Sequence, residues 1–181
     1  MKARKKWSML VLTAAVLAVG AGIFNWYASH PEELNPAELT PADTVEPCPG
    51  VELFLEVNGN LMELTLSNHS DARLESGAAV DGDRNLYFTG GLQVLLDGQW
   101  YVVPSEEYAT AGVGLELEPG DSVSGRYSLF PYGELPDGQY RVALGYWQRS
   151  PSEEDPLLRQ PYHQSYARFD VENGRYVIPQ S

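Results

Sequence analysis

Apolar and polar residues alternate in short runs over most of the chain after residue 50. In Leu61–Leu66, Met62, Leu64 and Leu66 fall on one face of an extended segment. A period of two is typical of strands with one buried face. The pattern therefore predicts seven to nine short strands, drawn from ten candidate segments at residues 51–57, 61–66, 86–88, 92–96, 100–103, 113–117, 123–129, 140–147, 166–171 and 176–178.

Residue pairs that favour tight turns separate these runs. Asn58-Gly59, Asp97-Gly98 and Asn173-Gly174 are hairpin signals, because a tight hairpin turn needs residues that accept positive φ. Pro119-Gly120 and Asp137-Gly138 mark further turns. No long helical period of apolar residues follows the N-terminal segment. Many short strands with regular turns predict an all-β domain, either a sandwich or a small barrel.

The first 27 residues have the composition of a membrane-targeting segment. Lys2, Arg4, Lys5 and Lys6 precede an uncharged, largely apolar run over residues 7–27. As a helix this run would be about 30 Å long, which is enough to cross a bilayer. It is either a signal anchor or a cleaved signal peptide. The basic residues predict a cytoplasmic N-terminus, with the rest of the chain outside the membrane or secreted after cleavage.

Proline and acidic residues dominate residues 28–50. Prolines interrupt helices and acidic side chains repel one another, so this stretch is expected to act as a semi-stiff linker. Residues 51–181 are then one domain, which is large enough to bury a core. Cys48, the single cysteine, lies in the linker and is interpreted as an incidental thiol or an intermolecular link.

The balance of charge limits the class of partner. The chain has 25 acidic and 12 basic residues and a net charge of −13, and Lys2, Arg4, Lys5 and Lys6 lie before the apolar run. A surface this acidic repels phosphate backbones, so no nucleic-acid partner is expected. With one cysteine the domain forms no internal disulfide, and an exported all-β domain of that kind fits a bacterium.

Part of the chain resembles a known family. The residues concerned are Asn68, Ser70, Leu92, Asp97-Gly98-Gln99-Trp100-Tyr101-Val102-Val103-Pro104, Leu117-Glu118-Pro119-Gly120, Tyr132-Gly133-Glu134-Leu135 and Gly138-Gln139-Tyr140-Arg141. Over residues 50–147 the chain resembles a bacterial immunoglobulin-like domain of exported or membrane-anchored Gram-positive proteins. The resemblance implies an immunoglobulin-like β-sandwich. It brings no assigned catalytic residues, so we expect a protein that is not an enzyme and binds no cofactor.

Two aromatic residues have expected structural roles within that fold. Tyr140 follows Leu135 and Gly138 at the spacing of a tyrosine corner, in which the ring enters the core and the hydroxyl bonds an upstream backbone group. Trp100 begins a strand and is expected to fill the core.

Residues that would support catalysis are sparse. The sequence has no Gly-x-Ser-x-Gly elbow and no recognisable Ser/His/acid pattern. His30, His69 and His163 lack partners at metal-ligand spacing and are interpreted as surface histidines. We therefore predict no catalytic, cofactor-binding or metal residues.

One acidic cluster and one aromatic segment have alternative interpretations. Asp81, Asp83 and Asn85 alternate as at the start of a calcium loop, although the rest of that motif does not follow. The cluster is interpreted as a polar turn, with a weak cation site as the alternative. Tyr162 to Tyr166 border a predicted long loop at residues 149–163, and an exposed aromatic group there would suit a protein or glycan partner.

These observations favour one function class and leave a second open. The first is a non-enzymatic, membrane-tethered immunoglobulin-like module that binds or scaffolds at a bacterial cell surface, with the membrane contacted through the N-terminal helix. The alternative is a sensory or calcium-responsive accessory domain that works with a membrane enzyme or transporter. The sequence assigns neither a ligand nor an oligomeric state.

Overall fold

The computed structural model describes residues 34–59, 61–106, 111–149 and 161–179. The predicted signal segment, residues 1–27, and most of the predicted 149–163 loop lie outside these ranges. Within the described part of the chain, no helix combines the length and apolar character needed to cross a membrane. The described residues from Leu34 onward form one compact unit.

Two short 3-10 helices and twelve strands make up the described residues. The helices are Pro36–Glu38 and Phe130–Tyr132. The strands are β1 Thr40–Pro41, β2 Val51–Asn58, β3 Leu61–Asn68, β4 Arg73–Val80, β5 Leu86–Phe88, β6 Gly91–Leu96, β7 Gln99–Val102, β8 Ala111–Leu117, β9 Ser122–Tyr127, β10 Gly138–Arg149, β11 Tyr162–Glu172 and β12 Arg175–Val177.

The strands pair in two layers that share one long strand. One layer has the order β1-β7-β6-β10-β11-β12, and the other has the order β8-β4-β5-β9-β3-β2. All pairs are antiparallel except the single bridge between β5 and β9. The layers join because β10 pairs with β6 through its first half and with β4 through its last residues. This arrangement agrees with the predicted immunoglobulin-like sandwich.

One hydrophobic cluster lies between the layers. Alternate residues of β3 and β10 enter it, as a period of two requires. Its most buried large side chains are Tyr140, Tyr146, Phe169, Met62, Leu64, Leu66, Leu74, Leu92, Leu144, Val94 and Val142. The prediction that Met62, Leu64 and Leu66 face inward is confirmed.

The predicted turn pairs lie where strands reverse. Asp97 and Gly98 both have positive φ, 50° and 80°, between β6 and β7. Asn173 and Gly174 have φ of 52° and 69° between β11 and β12. These pairs supply the left-handed backbone that a two-residue hairpin requires.

Residues 34–50 pack on the domain, contrary to the expectation of a free linker up to residue 50. Residues 40 and 41 pair with β7, and the backbone nitrogen of Ala42 donates to the oxygen of Trp100 at 2.9 Å. Cys48 is buried in the core cluster, where its backbone nitrogen donates to the Tyr146 hydroxyl at 3.1 Å. Backbone hydrogen bonds to the sheet therefore hold this segment on the domain, although its composition alone predicts an extended linker.

The tyrosine corner is confirmed. Tyr140 is buried, and its hydroxyl donates to the backbone oxygen of Pro136 at 2.8 Å. Its ring stacks on Phe169, with centroids 5.5 Å apart. Burial raises the pKa of Tyr140, with smaller contributions from Asp137 and Tyr176. The residue therefore ties the start of β10 to the loop before it.

Replacing Tyr140 by phenylalanine removes this hydroxyl bond and keeps the ring. We expect the free energy of unfolding to fall by about 1 kcal/mol, since the Pro136 oxygen loses its donor. Urea unfolding of the full chain, compared with a Tyr101→Phe variant at a half-buried tyrosine of β7, measures the effect. Equal stability of the two variants would contradict the structural role given to the corner.

Candidate functional site

The outer face of the β7-β6-β10-β11 sheet holds a buried arginine. Arg141 lies on the face of β10 opposite the core, yet only 5% of it is exposed. Its guanidinium carbon is 4.2 Å from the ring centroid of Trp100 and 3.9 Å from that of Tyr166. Its Nε donates to Gln93 Oε1 at 2.7 Å. Two aromatic rings and one amide therefore surround a cation on the outside of the sandwich.

A second arginine lies directly beside the first. Arg168 on β11 is the cross-strand partner of Arg141, and its guanidinium carbon is 5.7 Å from the Trp100 centroid. Among the described residues, no carboxylate lies within 4.0 Å of either guanidinium. Burial lowers the pKa of Arg141, and the Arg168 charge acts in the same direction. We call Trp100, Arg141, Tyr166 and Arg168 the arginine cage.

Tyr166 connects the cage to the N-terminal segment. The Val45 nitrogen donates to the Tyr166 hydroxyl at 3.0 Å, and that hydroxyl is 3.1 Å from the Val45 oxygen. Gln164 Oε1 lies 3.0 Å from the same hydroxyl. The phenol ring therefore stacks on Arg141 while its hydroxyl holds the backbone of the segment before β2.

An exposed aromatic pair lies further along the same face. Trp147 and Tyr162 are cross-strand partners with centroids 5.4 Å apart, and they are 46% and 42% exposed. The Tyr162 ring lies over Gly145, where a Cβ atom would collide with its hydroxyl. The glycine thus leaves room for the ring to lie flat on β10. We call Trp147 and Tyr162 the aromatic pair.

The acidic cluster is a closed polar turn. Asp81 Oδ1 accepts from the backbone nitrogens of Asp83 at 2.9 Å and Asn85 at 2.8 Å, and Oδ2 accepts from Asn85 Nδ2 at 2.7 Å. Hydrogen bonds from Asn85 lower the pKa of Asp81. Both carboxylate oxygens are therefore engaged by the loop itself, and the cation alternative stays an untested prediction. Across the described ranges, no three His, Cys, Asp or Glu side chains converge as metal ligands do.

The remaining predicted residues lie apart from the cage. His163 is in β11, outside any loop, and its ring stacks on Tyr146 with centroids 6.0 Å apart. His69 is exposed in the turn after β3, and His30 lies outside the described residues. Burial, followed by the charge of Asp71, raises the pKa of the Cys48 thiol. Cys48 and His163 both contact Tyr146, the first through its backbone nitrogen and the second through its ring.

A protein-family comparison agrees with this architecture. A model described as a bacterial Ig-like domain matches residues 55–155. The chain belongs to the bacterial Ig-like domain family. The curated proteins searched contain no match to this Ig-like chain. Members of this family are typically non-catalytic.

Within this Ig-like domain one expected role was wrong. Trp100 does not fill the core, because it lies half-buried on the outer face and stacks on Arg141. Sequence reasoning also missed Arg141 and Gln93, which are 5% exposed. The sequence signal that could have located Arg141 was the alternation in β10. Tyr140, Val142 and Leu144 occupy the core face, so Arg141 lies on the opposite face. Alternation indicates that Arg141 lies on the outer face of β10. It does not indicate that aromatic rings from β7 and β11 cover the arginine there.

Proposed function

We propose that this Ig-like domain is a non-enzymatic binding or scaffolding module held outside the cytoplasmic membrane by its N-terminal segment. The aromatic pair of Trp147 and Tyr162 is the observation that carries the binding role. It places two large rings in solvent, side by side, on a rigid pair of central strands. Exposed aromatic residues of this kind supply much of the contact energy in protein interfaces.

The tether is inferred from the composition of the first 27 residues. Basic residues followed by a long apolar run favour a signal anchor with the Ig-like domain on the far side of the membrane. The packed unit starts at Leu34, so little chain separates this run from the domain.

The calcium-responsive accessory role receives less support from the geometry. A cation at the 81–85 turn would have to compete with three N–H donors for the oxygens of Asp81. Calcium sites in proteins use six to eight oxygen ligands. The described chain gathers no such set of acidic side chains there, and we therefore rank this function second.

Removing both rings of the aromatic pair tests the binding role. We expect a Trp147→Ala/Tyr162→Ala variant of the full chain to lose most of the photo-crosslinks to envelope components in intact cells, because truncating central aromatic contacts costs about 2 kcal/mol or more each. The matched control is Phe130→Ala, which removes an aromatic side chain that is 83% exposed elsewhere on the domain.

Two results bear on this proposal. Equal loss of crosslinks in the aromatic-pair and Phe130→Ala variants would contradict a specific role for the pair. Protease added outside intact cells should digest the Ig-like domain, and full protection would contradict its extracytoplasmic location. Circular dichroism of each variant establishes that the fold is retained.

A further inference from the structure

We propose that the arginine cage is a binding site for a carboxylate group, with Arg168 and Arg141 as the anion-binding side chains and Trp100 as the ring beside it. This proposal rests on the proposed binding function and names the chemistry of a ligand. The cage lies on the same outer face as the aromatic pair but uses different residues.

Two like charges are paired at the cage. Arg141 and Arg168 are directly opposite on β10 and β11, and like charges in that position destabilise a sheet. The chain has 25 acidic residues, yet within the described residues none lies within salt-bridge distance of this pair. By contrast, Arg73 and Arg149 both pair with Glu75. An anion bound between the two arginines would relieve the repulsion.

One buried donor of the cage has no partner within the described part of the chain. Arg141 is 95% buried, since its exposure is 5%, and its Nη2 is buried with no hydrogen-bond partner among the residues that the structure describes. A buried cation normally has a partner for each donor, because an unmet donor loses its water without replacement. The two rings stabilise the flat faces of the guanidinium. The edge of the guanidinium at Nη2 remains able to donate a hydrogen bond to a ligand.

The cage is accessible to a ligand, and the charge of the chain favours a carboxylate over a dianion. Arg168 is exposed and Trp100 is half-buried, so a ligand that approaches the cage meets these two residues first. Guanidinium groups bind carboxylates and phosphates through paired N–H donors. The net charge of −13 repels a dianion more than a monoanion, which favours a carboxylate.

The test follows the Trp100 indole N–H signal by NMR in the full chain held in nonionic detergent at low salt. The signal is assigned by its loss in Trp100→Phe. D-Glucuronate and N-acetyl-leucine present a sugar carboxylate and a peptide-type carboxylate. Glucose and N-acetyl-leucine amide are their uncharged counterparts, and inorganic phosphate is the dianion. The variants are Arg168→Gln and the control Arg175→Gln, which removes an exposed arginine of β12.

We expect at least one carboxylate to shift the Trp100 signal, and its neutral counterpart to leave the signal in place. Arg168→Gln should weaken that binding roughly tenfold, since it removes a charged hydrogen-bond donor, while Arg175→Gln should leave it nearly unchanged. The carboxylate that binds identifies the ligand as sugar-like or peptide-like. Arg168 is exposed, so its replacement leaves the fold intact even if an Arg141 variant does not fold.

Three results would overturn the carboxylate site. They are no Trp100 shift with either carboxylate, equal weakening in the Arg168 and Arg175 variants, and phosphate binding as tight as the carboxylate. None of these results affects the aromatic-pair crosslinks, so failure of the cage is distinguishable from failure of the proposed binding function.

Discussion

Replacing Phe169 by alanine is expected to lower the free energy of unfolding by about 3–5 kcal/mol. Phe169 is fully buried in the second half of β11, with 0% of its surface exposed. It stacks on Tyr140 and meets Tyr176 edge to face at 6.0 Å between centroids. Alanine would leave a cavity between β10, β11 and β12 that these rigid strands fill only in part.

A matched substitution on the surface isolates this effect. Phe54 on β2 is 53% exposed, so Phe54→Ala removes the same atoms from a side chain that is mostly in water. We expect its unfolding free energy to change by about 0.5 kcal/mol or less. Urea unfolding of both full-length variants measures the difference. Similar losses at the two sites would contradict the assignment of β11 to the core.

Replacing Asn68 by leucine is expected to cost about 3–5 kcal/mol, because it leaves several buried polar groups without partners. Asn68 is 0% exposed at the end of β3. Its Nδ2 donates to the oxygens of Ala72 at 2.9 Å and Leu117 at 3.1 Å. Its Oδ1 accepts from the Ser70 nitrogen at 3.1 Å and hydroxyl at 2.7 Å. One amide thus holds the 68–72 turn against the end of β8.

Asn58 provides the comparison for this variant. It ends β2 and is exposed, so Asn58→Leu makes the same chemical change where water replaces any lost bond. We expect only the Asn68 variant to lose stability and to exchange the Ser70 backbone amide faster with solvent. Fast exchange in both variants, or in neither, would show that the amide of Asn68 is not what orders this turn.

Much of the fold follows from local sequence. Alternation in Leu61–Leu66 and the turn pairs at residues 97–98 and 173–174 predicted strand positions and reversals that the structure contains. The spacing from Leu135 to Tyr140 predicted the corner hydroxyl bond. These features depend on contacts between residues close in sequence or on the two-residue period of a strand. They can therefore be predicted from a single sequence.

Other elements have no local signal. Strand β4 was not predicted, because Ser76, Gly77 and Ala78 have low β-propensity and its pairing with β8 and β10 is what makes it a strand. Strand β1 was also missed, since proline-rich composition at residues 28–50 indicates an extended linker. Its two residues are strand only because β7 offers a free edge.

The candidate site was also predictable from the sequence only in part. The exposed aromatic character of residues 162–166 was read from their composition, and Tyr162 is exposed beside Trp147 as a binding surface requires. The arginine cage was not foreseen. Trp100, Arg141 and Tyr166 are far apart in sequence, and only the register of β7, β6, β10 and β11 brings them together.

The sequence by itself determined an all-β Ig-like domain, its main turns, its acidic surface and the composition of its N-terminal segment. These depend on residue type and on the two-residue period of a strand. The tertiary structure alone decided that Trp100 lies on the outer face, that residues 34–50 pack on the domain, and that two arginines meet with no carboxylate of the described chain beside them. Those outcomes depend on which strands pair and in what register. Pairing and register are set by contacts between residues far apart in sequence, so no local pattern predicts them.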